Sequence, residues 1–388
     1  MQILVLGGGF AGVEAAIKLR KYGYDVTLIS DRDYMFIYPV SIWIPVGKRS
    51  FEHTQLKLSD VAAVHGFKVI IDKVTNIEAQ NKTVVLSQQT LNFDYLFIAL
   101  GMGKVKTKGL ENTHSICGKP EESLVIKEQL ENLIAKGGGH ITVGFGGNPA
   151  DPTATTVRGG PAFELLFNIS VYLKQKGLKD KFKLTFFAPM AEPGKRMGEK
   201  AYQKMGGFFK RYGVETHFGK KIKAFTSDSI VFADDSNLKS DLTLFISGGD
   251  GLQLIKDSDL PLNETGFIKI DQTCQVENYP NIYAIGDVAA LKALPWAAKQ
   301  GHVAEVMADV SVTNFHNTLT GKPERKSYWD HLNIICVMDS GDGAAFVYRT
   351  EKKEFMLPMP IVGHWLKKAW GWYYKNTKMK RMFRIPGM

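Results

Sequence analysis

Near the start of the chain, Gly7-Gly8-Gly9-Phe10-Ala11-Gly12 has the spacing G-x-G-x-x-G. In that pattern the first glycine permits a tight turn, the second lets the backbone approach a pyrophosphate, and the third lets a helix pack closely on a strand. The phosphates would then sit on the helix N-terminus, where unpaired N–H groups and the dipole favour negative charge. About 20 residues further on, where a ribose-binding acid belongs, comes Ser30-Asp31-Arg32. Ser30 stands where the strand ends, so Asp31 takes the acid's role one position late. Dinucleotide binding is the chemistry of this arrangement, and a plain tight turn is the competing reading.

The other reactive groups are thiols and one carboxylate. Cys117, Cys274 and Cys336 are odd in number and widely separated, unlike a secreted disulfide framework. A thiolate is the reactive form, and a positive neighbourhood favours it; Arg158 could supply that charge. Cys336 lies in an apolar stretch and Cys117 in a loop before Gly118-Lys119-Pro120. For each, an inert thiol stands beside the redox reading, and Cys274 reads as structural. Glu164, beginning a helix after Pro161, could manage protons if desolvation raises its pKa, or it is an ordinary first-turn carboxylate. No metal is expected.

Positioning these groups requires a sheet. Ile3 to Leu6 reads as a buried strand, about Ala11 to Tyr22 as a helix, and Asp25 to Ile29 as a second strand. Near-continuous apolar strands joined by amphipathic helices indicate a parallel sheet covered on both faces. Further strands are expected at Tyr95 to Leu100, from His140, at Lys183 to Ala188, at Leu242 to Ser247 and at Pro280 to Ile285, with helices around Phe163 to Lys176 and Ala201 to Tyr212. Strand-like alternation follows from Leu332 to Arg349. The pattern predicts an α/β fold of two interleaved Rossmann-like domains plus a C-terminal module. The first domain is discontinuous, over 1–110 and 240–325; the second spans 111–239; the module spans 326–388.

Composition sets the remaining bounds. With 388 residues, 44% hydrophobic and 23% charged, the chain is ordinary globular material. No apolar run reaches the ~18 residues of a spanning helix, and Tyr34 to Val46 is broken by Pro39 and Pro45. The N-terminus enters a strand pattern at once, so secretion is not expected. Of the net charge of +10, seven basic residues lie between Gly363 and Met388, a segment without Asp or Glu. They alternate with Trp365, Leu366, Trp370, Trp372, Tyr373 and Tyr374. Aromatic rings favour the headgroup level, and each basic residue near an anionic surface contributes about 1 kcal/mol. Residues 363–388 are therefore expected to form an amphipathic foot on the cytoplasmic face of the cell membrane. A tail packed on its own domain is the alternative. Nucleic acid is set aside because no binding module accompanies the tail.

A second dinucleotide turn would be needed for a pyridine nucleotide donor. At that place stands Gly144-Phe145-Gly146-Gly147-Asn148-Pro149, followed by an insertion to Gly160. Pro149 and Pro152 remove N–H donors and cannot continue a helix off the turn. The strand that should end in a ribose-binding acid ends Phe186-Phe187-Ala188-Pro189. Both elements of a nicotinamide site are degraded.

Two further segments carry a resemblance. Asp94-Tyr95-Leu96-Phe97-Ile98-Ala99-Leu100-Gly101 and Asn281-Ile282-Tyr283-Ala284-Ile285-Gly286-Asp287 resemble the second and third flavin motifs of the two-dinucleotide-domain flavoproteins. The whole chain is similar to the sulfide:quinone oxidoreductase family. The specific pieces are Ile29 to Tyr34, Tyr38-Pro39, Trp43 to Gly47, His114-Ser115-Ile116-Cys117, Gly160-Pro161-Ala162-Phe163-Glu164, Ile335 to Asp339, and Gly363-His364-Trp365. Type II NADH dehydrogenases share the flavin motifs but not the cysteines. The resemblance implies FAD, held by Gly7, Gly9, Phe10, Ala11, Gly12, Ser30, Asp31, Arg32, Val74, Ala99, Gly101, Gly286 and Asp287. It implies electrons passing from a small sulfur donor through cysteine and FAD to membrane quinone, with Cys336, Cys117 and Glu164 as the catalytic candidates and homo-oligomerisation open. One family cysteine is missing, because Thr155-Thr156-Val157-Arg158-Gly159 contains none. Either Cys117 and Cys336 work together, or Cys336 alone carries a persulfide, or the donor is not sulfide.

Overall fold

The computed structural model describes residues 1–151, 155–292, 294 and 296–384; Pro152 and the end of the expected foot, residues 385–388, lie outside them. Its eight helices among the described residues are α1 (Phe10–Lys21), α2 (Leu58–His65), α3 (Glu122–Ala135), α4 (Gly160–Gln175), α5 (Glu199–Tyr212), α6 (Gln253–Lys256), α7 (Gly301–Leu319) and α8 (Val362–Lys378).

The first sheet is built around Ile3–Leu6, whose four residues are all buried. A strand with no exposed face must be covered on both sides, and parallel pairing does this. Ile3 pairs with Val26 on one side and with Tyr95 on the other, both parallel. The six-stranded order is 275–276, Tyr279–Ala284, Tyr95–Ile98, Ile3–Leu6, Val26–Ser30 and Lys68–Ile71. α1 crosses between the first two strands in sequence and packs on α7. The second sheet is also parallel, in the order Glu215–Phe218, Phe182–Ala188, Gly139–Phe145 and Leu242–Ile246. Phe163, Phe186 and Phe209 form its aromatic core, with Phe163 and Phe186 stacked at 4.7 Å. The α/β expectation is met.

The alternation read from Leu332 to Arg349 is two antiparallel strands, Ile334–Asp339 and Gly343–Arg349, followed by a third, Glu354–Pro360. α8 packs across this sheet and against the 3-10 turn Tyr38–Trp43. The Tyr34 to Val46 stretch is therefore a short strand and a turn in the interior, with Trp43 fully buried. No helix among the described residues is long and apolar enough to cross a membrane.

Candidate functional site

The glycine turn is shaped as its spacing requires. A Cβ on Gly12 would lie 1.9 Å from the Gly7 carbonyl oxygen, so only hydrogen fits between helix and turn. A Cβ on Gly9 would meet nothing within 4 Å, which leaves the backbone there open to an approaching ligand. Gly9 also caps α1 without offering a side chain, so the first N–H groups of the helix face that open space without intrahelical partners. Ser30 is buried behind the turn, its Oγ accepting the Arg32 N–H at 3.2 Å and lying 2.6 Å from where a Gly8 Cβ would be. Asp31 is exposed beside Arg32, Oδ1 to Nε 3.3 Å. Gly101 has open space at its Cα, whereas Gly286 sits against Ala11. Val74 opens a strand opposite Leu86 with its side chain in the core.

Beyond the turn, loops from both sheets bring charges together. Asp287, in the turn after Tyr279–Ala284, pairs with Arg158 from the loop before α4. Cys117 lies in the same neighbourhood, where burial raises its thiol against the opposing charges of Arg158 and Lys104. The Arg158 Nε is buried with no hydrogen-bond partner among the described residues, an orphaned donor of the kind a bound polar group satisfies. Tyr38 donates to the Gly118 carbonyl at 2.9 Å, fixing the loop that carries Cys117. Lys299, 4% exposed, sits 4.2 Å over the Phe267 ring, and burial pulls its ammonium down to about 8. An open backbone cradle, an orphaned guanidinium N–H and a carboxylate with its second oxygen available fit a bound dinucleotide flavin.

A second buried network lies between α4, the strand Ile334–Asp339 and α8. Glu164 accepts from Lys367 and, at 2.7 Å, from the Asp339 N–H. Asp339 in turn is held by Asn168 at 2.9 Å, Trp43 at 3.1 Å and His364 at 2.6 Å. Burial raises the Glu164 carboxyl in spite of the Lys367 ammonium. Burial acts the same way on Asp339, but hydrogen bonds from His364 and Asn168 outweigh it and hold that carboxyl below its usual value. The two carboxyls, joined through one backbone N–H, are pushed in opposite directions. Cys336 adjoins them half-buried, and burial, with Glu164 adding and Lys367 opposing, pushes its thiol up to about 12. Glu164 acts on both Cys117 and Cys336, so the three catalytic candidates share one region. Cys274 is fully buried and apart from it.

The second turn does not cradle phosphates in the same way. After Phe145 the chain reaches Gly159 before α4 begins, and Asn148 closes the intervening loop by donating to the Gly249 carbonyl at 3.0 Å. A Cβ on Gly146 would lie 3.0 Å from the Phe245 ring, so this glycine is covered where Gly9 is open.

A family model described as pyridine nucleotide-disulphide oxidoreductase matches residues 1–306. The chain belongs to that family. Its cofactor is FAD. Among pyridine nucleotide-disulphide oxidoreductases and their relatives, it is 26% identical over 400 residues to the sulfide-quinone reductase of Aquifex aeolicus (strain VF5), covering 96% of this chain and 90% of that protein. It is 22% identical to a type II NADH:quinone oxidoreductase of Staphylococcus saprophyticus, over 89% of this chain and 90% of that one. The solved structure of the Aquifex aeolicus sulfide:quinone oxidoreductase superposes with a TM-score of 0.87 at 23% identity, over 98% and 92% of the two chains. NDH2 from Plasmodium falciparum, solved with NADH, gives 0.75 at 14% identity over 98% of each chain. The resemblance read from the sequence is thus met.

Several residues at this oxidoreductase's site were not singled out by the sequence. Asp339 lay within the Cys336 segment, and His364 and Lys367 within the tail, without a role. Their signal was the spacing Gly363, Lys367, Gly371, Tyr374, Lys378, one helical face that is buried throughout. Small residues and two lysines do not look like a core face, so the tail read as a surface foot. The structure corrects the charge count of that foot: Lys367 and Lys378 are 5% and 4% exposed in buried ion pairs, and Arg384 is tied to Glu14 and Glu305. Lys299 carried no sequence signal, and Tyr38 entered only as part of the Tyr38-Pro39 piece of the resemblance, without a role.

Proposed function

We propose that the chain is a membrane-associated flavoenzyme that passes two electrons from a small reduced-sulfur donor to a quinone. The observation that carries this reading is Cys117 beside the Arg158–Asp287 pair, with Glu164 acting on both Cys117 and Cys336, while the second glycine turn is covered. FAD, when bound, would supply the two-electron acceptor. Gly9, Phe10, Ala11 and Gly12 would hold the pyrophosphate, and Asp287 would accept from a ribityl hydroxyl with the oxygen not given to Arg158. Cys336 would take the donor's sulfur, and Arg158 would favour negative charge near Cys117. Glu164, raised by burial against the opposing Lys367 ammonium, would hold or give up a proton at its carboxyl oxygen.

The foot belongs to the same proposal. Val362, Trp365, Leu366, Ala369 and Trp372 form a helical stripe that is exposed, with Trp365 at 63% and Trp372 at 60%. Apolar residues facing outward at helical spacing fit insertion at an interface. Attachment on the cytoplasmic side would let quinone enter from the lipid.

A second reading has one observation in its favour. Both thiols are raised rather than lowered, and a third family cysteine is replaced around Arg158, which suits a donor that needs no cysteine, such as NADH. Stopped-flow mixing of flavin-loaded protein with sulfide or with NADH, followed by a quinone, separates the two. Bleaching by sulfide that Cys336→Ser abolishes, with slow bleaching by NADH, is expected. Rapid bleaching by NADH alone, or an unchanged sulfide reaction in the variant, refutes the cysteine route.

A further inference from the structure

Three helices end at one place. α1 ends at Lys21, α2 at His65 and α8 at Lys378, around a cavity of about 400 Å3 outside the redox region. Two of the cations there are already matched: Lys378 and Arg384 pair with Glu14 and Glu305. Lys21, Lys380 and Arg381 also line the cavity, and among the described residues none has a carboxylate within ion-pair distance. Lys380 has only the Val64 carbonyl, at 3.1 Å. Basic residues at helix C-termini are ordinary, since each end carries about half a negative unit. Three ends offset roughly one and a half units against three unpaired cations, which leaves a surplus of positive charge. His65 reports the same surplus, held below its usual value by burial with Lys380 and Lys21 adding to it.

The cavity also opens beside apolar surface. Phe383 and Met382 line its rim at 95% and 39% exposure. Tyr373 donates to the Phe383 carbonyl at 2.9 Å, which ties this rim to the turn of α8 that carries exposed Trp372. A basic cavity at the end of an outward apolar stripe matches a molecule with an anionic head and an apolar tail.

We propose that this cavity binds the phosphate of an anionic phospholipid, with its acyl chains lying along Phe383, Met382 and Trp372. The site rests on the membrane attachment proposed above and adds a specific headgroup contact to it. The test uses flavin-loaded, full-length protein and short-chain phosphatidylglycerol below its micelle concentration. Thermal unfolding should shift up by about 1–2 °C at tenfold saturation. The shift should vanish in Lys21→Gln/Arg381→Gln and persist in Lys368→Gln/Lys375→Gln, which removes equal charge from α8 away from the cavity. Both double variants, whose four substitutions lie at exposed or half-buried positions, are checked for flavin content, so a folding defect is recognised. An equal shift with short-chain phosphatidylcholine overturns anion recognition, and an equal shift with inorganic phosphate overturns the lipid as source. Vesicle flotation distinguishes the two layers: no shift with flotation intact sinks the site alone, whereas loss of flotation sinks the attachment beneath it.

Discussion

Lys367→Met removes the ammonium from a carboxylate that has almost no other compensation. Glu164 is 3% and Lys367 5% exposed, and after the substitution Glu164 keeps only the Asp339 N–H, at 2.7 Å. Removing one partner of a buried pair costs about 3–5 kcal/mol if the other stays charged. Glu164 is already raised by burial, and loss of Lys367 raises it further. A carboxyl with a folded pKa above its unfolded value, about 4.3, binds more protons when folded. Its contribution to stability is therefore complete below about pH 4.3 and is lost as pH rises through the folded pKa, at up to about 1.4 kcal/mol per unit. The variant should accordingly be penalised more at about pH 8.5 than at about pH 5.5. Thermal unfolding of flavin-loaded protein, followed by tryptophan fluorescence at both pH values, measures this. Glu164→Gln/Lys367→Met should recover most of the loss, because no charge is left buried. An equal penalty at both pH values, or a double variant no more stable than the single one, would show that the pair is not the buried charge compensation inferred from its geometry.

Two further outcomes follow from the same surroundings. With its thiol pushed up to about 12, Cys336 should alkylate with iodoacetamide at a rate that climbs about tenfold per pH unit past the ~8.5 of an ordinary cysteine; a plateau near that value contradicts the burial argument. Trp365→Gln/Leu366→Gln/Trp372→Gln alters three exposed side chains of α8, so flotation with phosphatidylglycerol vesicles should be lost while stability moves by less than about 0.5 kcal/mol. Unchanged flotation would remove the outward stripe as the attachment surface.

The sequence by itself determined the parallel strands and the first dinucleotide turn, because both are local patterns. An unbroken apolar run such as Ile3–Leu6 has to be covered on both faces, and G-x-G-x-x-G encodes a close approach within six residues. It also exposed the absence of a cysteine around Arg158, since a missing residue type needs no coordinates. Tertiary structure alone decided the partnership of Glu164 with Lys367, 203 positions apart, and of Arg158 with Asp287, 129 apart. Both pairs join loops and helices that only the folded sheets bring together. The tail shows the same division most plainly. Its basic and aromatic composition was evident from the letters, but burial of one helical face by the C-terminal sheet and by α1 and α7 separated lysines that neutralise interior carboxylates from tryptophans that point outward. Composition counts charges, whereas only packing decides which of them meet water.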